Sequence, residues 1–393
     1  MTDTITSESL YHAILHGAAS IREKREDLNR INVFPVIDYD TGNNLAHTMG
    51  YILNHATVHE TVKETLRDIA RSALISARGN SGAIFSQYFN GLYLESTEKP
   101  SVSLAELANC FQEAYNKASI ALENVVEGTV ITLMRAWAVS FKEALHQRKS
   151  PHELFEAALG QIRLALEETR VTLRELKSLG LVDAGALGFY YFMEGFVHAL
   201  AGQHRAVPDR IIASALPDID DDIHKLSKKT AITFRYCTEV LLESDRPNQD
   251  ALRQALHERG DCLLVASADN LLRVHLHTNE PWEMVKIAAT YGRIIEQKAD
   301  DMVLQNLLAG APEKKIACIT DSIADLPREF VFRHDVFQLP INILIDQVSY
   351  LDKITIDRAY LYKHLDKASS AQLNREKIIE YPAPLPNPHD QAL

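Results

Sequence analysis

The spacing of apolar residues changes along the chain, and this change constrains the fold more than any other feature. From Ser7 to about Ala201, apolar residues recur three and four positions apart, as in Leu104–Ser119 and His152–Leu176, which predicts amphipathic helices. The pattern then becomes strand-like at 231–242, 262–267 and 271–277. A chain of 393 residues is also too long for one ordinary core, so two or three domains are expected.

These patterns divide the chain into four parts. Residues 1–201 are predicted to form an all-α domain of several helices joined by short Gly-bearing turns. Residues 202–228 are rich in Asp, Pro and charge and are predicted to be a linker, and residues 229–308 are predicted to form a small α/β domain with a helix at 283–291. Residues 309–393 are predicted to open a parallel α/β domain.

In that last part, a second linker is expected at 309–315, followed by strands at 316–320 and 337–345. A helix is expected between the two strands, because Pro327 suits an early helical turn. The tail at 381–393 is Pro-rich and polar, and we expect it to be unstructured.

Composition excludes several function classes. The formal charge is −12 and the pI about 5.7, with no stripe dense in Lys and Arg, so nucleic-acid binding is not expected. Apolar runs fall short of the ~20 residues that span a bilayer, and the polar N-terminus lacks a signal-peptide core. The four cysteines follow no disulfide framework, which favours a cytoplasmic protein. We expect Cys110, Cys262 and Cys318 to be core residues.

A turn with two carboxylates could bind hard cations. Asp38 and Asp40 lie two positions apart, and oxygen ligands of this kind hold Mg²⁺ together with substrate phosphates. Gly42 permits a close backbone approach, and Asn44 enters a helix whose N-terminus favours anions. On the turn alone, solvated acids at a helix N-cap are an open alternative.

A second turn, at 77–82, could bind an anion. Its Gly79-Asn80-Ser81-Gly82 segment opens the helix that follows, and such a helix start exposes several backbone N–H groups. An ordinary helix–helix turn is the alternative. The turns at 127–129 and 183–188 are weaker signals when taken alone.

Together the segments 32–42, 77–82, 127–129 and 182–185 resemble the ATP-binding domain shared by dihydroxyacetone kinases and bacterial fatty acid kinases. Fatty acid kinase is the closer match, and the resemblance runs from about residue 7 to residue 200. It implies a barrel of about eight antiparallel helices with Mg-ATP at one end.

The resemblance also implies roles for individual residues. Asp38 and Asp40 would hold magnesium as the catalytic residues, and Asn32 would supplement the metal site. Asn44, Ser81 and Gly82 would meet the phosphates. The implied nucleotide-binding set is Asn32, Thr41, Asn44, Asn80, Ser81, Gly82, Thr129, Asp183 and Gly185. The sequence departs from the family wording at Ile37, Tyr39, Asn43 and Ala186-Leu187, and Gly is usual where Tyr39 stands.

A cysteine and two histidines form a possible metal site in the middle domain. Strand alternation puts His275 and His277 on one face, and Cys237 from another strand could be a third ligand. From the spacing alone, two ordinary histidines and a buried thiol are the alternative. The segments 236–239 and 275–279 resemble the middle domain of fatty acid kinase, which implies a structural zinc ion on this trio. The fourth zinc ligand is not identified.

The last part of the chain is similar to DegV family lipid-binding proteins. The segments 319–327, 340–343 and 349–352 carry the similarity, and 369–372 resembles a family turn in which a hydroxyl meets a fatty acid carboxylate. Ser370 is the lipid-binding candidate. DegV proteins have a second half that closes over the acyl chain, so we expect this segment to be a partial domain.

The resemblance implies a kinase that converts a fatty acid to an acyl phosphate, with the fatty acid presented by a full-length DegV-type carrier protein. A carboxylate is ionised at pH 7 and needs no general base, so transfer depends on charge neutralisation and alignment. Two alternatives stay open: a kinase acting on a small hydroxy-ketone, and a non-catalytic lipid-binding or regulatory protein. The resemblance also suggests a homodimer.

Overall fold

A computed structural model describes residues 3–34, 39–202, 232–303, 318–334, 336–345, 348–356, 358–365 and 371–374. The two predicted linkers, apart from Gly202, lie outside the described residues, as does the predicted tail. Asp38 and Ser370 also lie outside them.

Residues 3–34 and 39–202 form a helical domain. Its helices are α1 (Ser7–Glu23), α2 (Arg25–Arg30), α3 (Thr41–His55), α4 (Val62–Ser76), α5 (Gly79–Glu95), α6 (Leu104–Ala121), α7 (Val130–His146), α8 (Pro151–Thr172), α9 (Arg174–Leu179) and α10 (Ala184–Leu200). Two short strands, β1 (Thr4–Thr6) and β2 (Ser101–Ser103), pair antiparallel at one end of the domain.

Eight of these helices close into a ring, hereafter the barrel. In order around the ring, α1, α3, α4, α5, α6, α7, α8 and α10 each pack against the next, and α10 closes against α1. Every residue from Ala184 to Val197 of α10 is buried, as expected for a nearly all-apolar helix at the closure. The predicted helical fold class is confirmed.

Sequence signals fix where several helices begin. Ser103 and Glu106 form a capping box at the start of α6, and Ser150 and Glu153 form another at α8, where Pro151 occupies the first turn. No helix within the described ranges is both long enough and apolar enough to cross a bilayer.

The middle part is a four-stranded antiparallel sheet with two helices. Its elements are β3 (Tyr236–Glu243), α11 (Gln249–Leu256), β4 (Asp261–Ala268), β5 (Leu271–Thr278), α12 (Pro281–Ala288) and β6 (Arg293–Asp301). The strand order is β4-β5-β3-β6. The predicted α/β class is correct, whereas α11 and β6 were not predicted.

The two faces of this sheet have different neighbours. Val240 and Val274 belong to a core that includes residues of α11 and α12. Leu241, Leu264 and Leu271 point the other way and join the core of the barrel. Because side chains alternate along a strand, Cys237, His275 and His277 share the barrel-facing side.

The C-terminal segments contain β7 (Cys318–Asp321), α13 (Arg328–His334), β8 (Val336–Leu339), β9 (Asn342–Ile345), β10 (Val348–Leu351), α14 (Arg358–Leu365) and β11 (Ala371–Asn374). Strands β7 and β8 are parallel, as predicted. Strands β9, β10 and β11 form a separate antiparallel sheet.

Three details of the C-terminal prediction are wrong. The sheet is not parallel throughout, because β9 and β10 pair directly as antiparallel neighbours. The single strand expected at 337–345 is two strands, separated at Pro340, which has no backbone N–H for a ladder. Ala371 and Gln372, expected in a turn, lie in β11 and pair with β9.

The cysteine prediction is correct for one residue of three. Cys110 is buried in the barrel, as expected. Cys262 is only partly buried, because it lies at an irregularity in the pairing of β4 and has a φ of 55°. Cys318 is exposed at the start of β7, which belongs to a sheet of only two strands.

Candidate functional site

The turn before α3 is held close to α2. A Cβ on Gly42 would lie 2.0 Å from the backbone oxygen of Arg25, so only glycine fits this approach. The Asn29 side chain accepts a hydrogen bond from the backbone N–H of Asn43 at 3.0 Å and donates one to its side-chain oxygen at 3.1 Å. This packing fixes Asp40, the N-cap residue of α3, relative to α2.

Tyr39 adopts the backbone conformation that glycine favours. Its φ is 55°, in the left-handed region, where a non-glycine residue costs about 1–2 kcal/mol. The substitution at this position therefore strains the turn without changing its course to a right-handed one. The Tyr39 side chain packs against the barrel core.

The turn before α5 lies against α3. Gly79 has a φ of 60°, and a Cβ there would lie 2.4 Å from Nδ2 of Asn44. A Cβ on Gly82 would lie 2.7 Å from Oγ1 of Thr48. Asn44 and the 79–82 turn, both predicted to meet phosphates, are therefore adjacent. Asn80 Oδ1 is buried and has no hydrogen-bond partner among the described residues.

The starts of α7 and α10 join the same end of the barrel. A Cβ on Gly185 would lie 3.2 Å from an Asp183 carboxylate oxygen, 3.5 Å from Cβ of Val130 and 3.7 Å from Oγ of Ser81. The Thr129 hydroxyl, just before α7, donates to the backbone oxygen of Val126 at 2.8 Å. The N-termini of α3, α5, α7 and α10 thus converge, and each carries partial positive charge and free N–H groups.

Asp183 binds two of these helix starts. Its carboxylate accepts a hydrogen bond from the backbone N–H of Ala186 at 2.8 Å and is also bonded by the N–H groups of Val130 and Gly185. Burial raises its pKa to about 6, while the three amide bonds act in the opposite direction.

Of the predicted nucleotide set, these contacts bring together Asn44, Gly82, Ser81, Asp183 and Gly185. Thr41 and Asn80 lie in the first turns of α3 and α5. Asn32 is buried two residues beyond the end of α2. Asp38 lies outside the described residues.

Cys237, His275 and His277 form a cluster on the barrel-facing side of the middle sheet. Their candidate ligand atoms all lie within 4.8 Å of one another, and Cys237 Sγ lies 3.8 Å from His275 Nδ1. The sheet register explains the grouping, because Cys237 pairs directly with His277 across β3 and β5.

The chemistry of this cluster fits a metal ion. Nδ1 of His275 lies 3.3 Å from Glu239, and Nδ1 of His277 lies 3.1 Å from Asp261. His275 Nε2 is buried and has no hydrogen-bond partner among the described residues. A carboxylate on one ring nitrogen with the other nitrogen free is the usual setting of a metal-binding histidine. Two imidazoles and a thiol suit zinc.

Electrostatics link this cluster to the N-terminal turn. Burial raises the pKa of the Cys237 thiol well above its usual value, and the negative charges of Glu239, Asp300 and Asp40 add to the effect. Burial lowers the pKa of His275. The contribution of Asp40 means that the cysteine–histidine cluster and the start of α3 are electrostatic neighbours, although they belong to different parts of the chain.

The sequence analysis missed Glu239 and Asp261. Glu239 lies two positions after Cys237, so strand alternation alone would have put both on one face. Asp261 gave no such signal, because the bulge at the start of β4 alters the register there.

Three family models match this chain. They are the DAK2 domain over residues 35–198, the FakA-like middle domain of fatty acid kinase over 233–307, and an uncharacterised protein family, DegV, over 315–384.

Among curated proteins, Protein YloV of Bacillus subtilis is 30% identical over 328 residues, which cover 80% of this chain and 58% of YloV. An uncharacterized protein of Staphylococcus epidermidis is 28% identical over 309 residues, which cover 77% of this chain and 56% of that protein. The chain therefore spans somewhat over half the length of these relatives.

Two solved structures of the dihydroxyacetone kinase of C. freundii also match. The native form is 16% identical, with a TM-score of 0.36, and the match covers 48% of this chain and 34% of that one. The complex with AMP-PNP and Mg²⁺ is 17% identical, with a TM-score of 0.37, and the match covers 48% and 33%. Likeness at this level carries no inference about the site.

Proposed function

Because the chain combines a DAK2 domain, a FakA-like middle domain and part of a DegV domain, we propose that it is a kinase component. In this proposal it binds Mg-ATP at one end of the barrel and phosphorylates a fatty acid on its carboxylate. The product is an acyl phosphate.

The convergence of four helix N-termini carries this proposal. The starts of α3, α5, α7 and α10 meet around Asn44, Ser81, Val130 and Gly185. Free backbone N–H groups and aligned helix dipoles favour a polyanion such as a triphosphate. Asp40 at the start of α3 adds a carboxylate that suits magnesium.

The residues have distinct roles in this scheme. Asp38 and Asp40, with Asn32, would hold magnesium, which when bound neutralises phosphate charge. Thr41, Asn44, Asn80, Ser81 and Gly82 would contact the phosphates. Thr129, Asp183 and Gly185 would line the nucleotide position, with Asp183 keeping the starts of α7 and α10 together.

The reaction requires little covalent chemistry from the protein. A carboxylate oxygen of the fatty acid attacks the terminal phosphorus, and the bond from that phosphorus to the ADP oxygen breaks. The fatty acid is ionised at neutral pH, so no base has to remove a proton. The protein then acts by alignment and by stabilising charge on the transferred group.

The middle sheet would hold one zinc ion through Cys237, His275 and His277. Glu239 and Asp261 would orient the two rings from their Nδ1 atoms. A zinc ion here would tie β3 to β5 and stabilise the middle domain.

The fatty acid would be presented by a separate, full-length DegV-type protein. The DegV match ends at residue 384, and only part of such a domain is present in this chain. Within that part, Ser370 is proposed to contact a fatty acid carboxylate. A homodimer and a cytoplasmic location complete the proposal.

Measurement of ATP consumption tests the reaction class. Purified protein is assayed with oleate and a full-length DegV protein, with oleate alone, and with dihydroxyacetone. We expect turnover only when oleate and the DegV protein are both present. Turnover with dihydroxyacetone would replace the proposal by a hydroxy-ketone kinase. Nucleotide binding without turnover under any condition would favour a regulatory protein.

A further inference from the structure

A buried ion pair on the middle sheet has contacts beyond its own domain. Arg273 donates to Glu239 across 2.9 Å, and the two side chains are only 4% and 2% exposed. Burying two charges is costly, and such a pair is weak evidence for stability in itself. The other contacts of the pair are therefore the informative feature.

Both members reach the barrel, at opposite ends of one turn. Arg273 donates a second hydrogen bond to the backbone oxygen of Ile75, near the end of α4, at 3.0 Å. Glu239 accepts a hydrogen bond from the backbone N–H of Gly79, the first residue of α5. The pair therefore spans the connection between α4 and α5 from outside the barrel.

Glu239 replaces a local helix cap. Arg78 is the N-cap residue of α5, and among the described residues its side chain makes no capping hydrogen bond. Helix starts leave N–H groups without intrahelical partners, and a carboxylate there is favoured by the helix dipole. A residue 160 positions later in the chain performs this task.

The position of Gly79 sets the geometry of the turn. Its left-handed φ of 60° and its close approach to Asn44 leave no room for a side chain. A small movement of Gly79 would therefore change the spacing between Asn44 and Ser81.

We propose that Glu239 and Arg273 are positioning residues that hold the 79–82 turn in its phosphate-binding geometry, so that the middle sheet controls the nucleotide affinity of the barrel. This inference rests on the proposed function, because it assumes that the 79–82 turn binds phosphates.

The same carboxylate connects the turn to the cysteine–histidine cluster. Glu239 Oε1, which accepts from Gly79, also lies 3.3 Å from Nδ1 of His275. An ion bound at His275 Nε2 would fix the ring and, through it, the carboxylate. Occupation of the metal cluster is thus expected to tighten nucleotide binding.

Glu239→Gln in the full chain tests the proposal. The amide keeps the size of the side chain and one acceptor oxygen, but it removes the charge that faces Arg273 and the helix start. We expect the Kd for Mg-ATP, measured by calorimetry, to rise at least tenfold. The Kd for AMP should stay within twofold, because the turn is assigned to the outer phosphates.

Asp269→Asn is the matched control. Asp269 also crosses between the two domains, accepting from Arg67 at 3.0 Å, but on a partly exposed surface. Its substitution should leave the Kd for Mg-ATP within twofold. Hydrogen exchange of the amides at 79–83 should accelerate in Glu239→Gln and stay unchanged in the control.

The possible outcomes separate the two proposals. Wild-type affinity for Mg-ATP in a folded Glu239→Gln protein overturns the positioning role. If that variant does not fold, Arg273→Lys decides, since lysine keeps the charge but cannot span both Glu239 and Ile75 with a fixed fork. If the wild type binds no nucleotide, the proposed function fails, and exchange at 79–83 still decides whether the pair holds the turn.

Discussion

Replacing Gly185 by alanine should separate nucleotide binding from stability. The added methyl group would lie among three helix starts, 3.2 Å from an Asp183 oxygen, 3.5 Å from Val130 and 3.7 Å from Ser81. Only the first distance is tight, and a shift of a few tenths of an ångström relieves it. The free energy of unfolding should therefore change by less than about 1 kcal/mol.

The same methyl group would occupy the space between the helix starts that the nucleotide needs. Overfilling a packed site costs about 1–3 kcal/mol, which corresponds to a rise of roughly 5- to 150-fold in the Kd for Mg-ATP. Calorimetric titration measures this value, and thermal unfolding shows that the fold is intact.

Gly160→Ala provides the control. A Cβ at Gly160, within α8, has no heavy atom within 4 Å, and alanine favours a helix interior over glycine by about 0.5–1 kcal/mol. This variant should be slightly more stable and should bind nucleotide as the wild type does. Wild-type nucleotide affinity in Gly185→Ala would refute our position for the nucleotide.

Two further predictions concern charge and metal. Because the folded pKa of Asp183 is raised from 3.8 to about 6, the wild type should lose stability relative to Asp183→Asn as the pH rises from about 4 to 6, by about 3 kcal/mol in total; denaturant unfolding of both proteins across this range measures the difference, and parallel curves would contradict it. His277→Ala should reduce bound zinc from about one ion per chain to none and lower the melting temperature, as metal analysis and calorimetry would detect; a wild type purified without chelator and found free of zinc would contradict the metal assignment.

Periodicity predicted the helices well because their cores are local. Leu104–Ser119 and His152–Leu176 correspond closely to α6 and α8, whose starts are marked by capping boxes. The closure of the ring, in contrast, depends on which helices touch, and no local pattern encodes that. Only the family resemblance predicted the barrel.

The candidate site was predictable in its parts but not in its assembly. Each turn could be identified from its glycine and polar residues, whereas the contact of Gly185 with Ser81 joins segments that are far apart in the sequence. The approach of the middle sheet to the turn at Gly79 was also not predicted. The sequence analysis assigned all phosphate-binding turns to the first domain and therefore treated the cysteine–histidine cluster as remote.

β6 and the C-terminal strands were missed for a different reason. β6 carries charged residues at most positions, since only Ile294 and Ala299 of its nine residues are buried. An edge strand of this kind has no regular apolar alternation to detect. In the C-terminal part, short apolar runs did not reveal whether neighbouring strands are parallel.

Magnesium-dependent nucleotide binding is the central claim, and calorimetric titration tests it most directly. The wild type should bind one ATP per chain in the presence of Mg²⁺ and bind it far more weakly in EDTA. The double variant Asp38→Ala, Asp40→Ala should lose this dependence and at least about a hundredfold in affinity, whereas Asp250→Ala, at an exposed position on α11, should bind as the wild type does. Equal binding by the wild type and the double variant, with or without magnesium, would contradict the account.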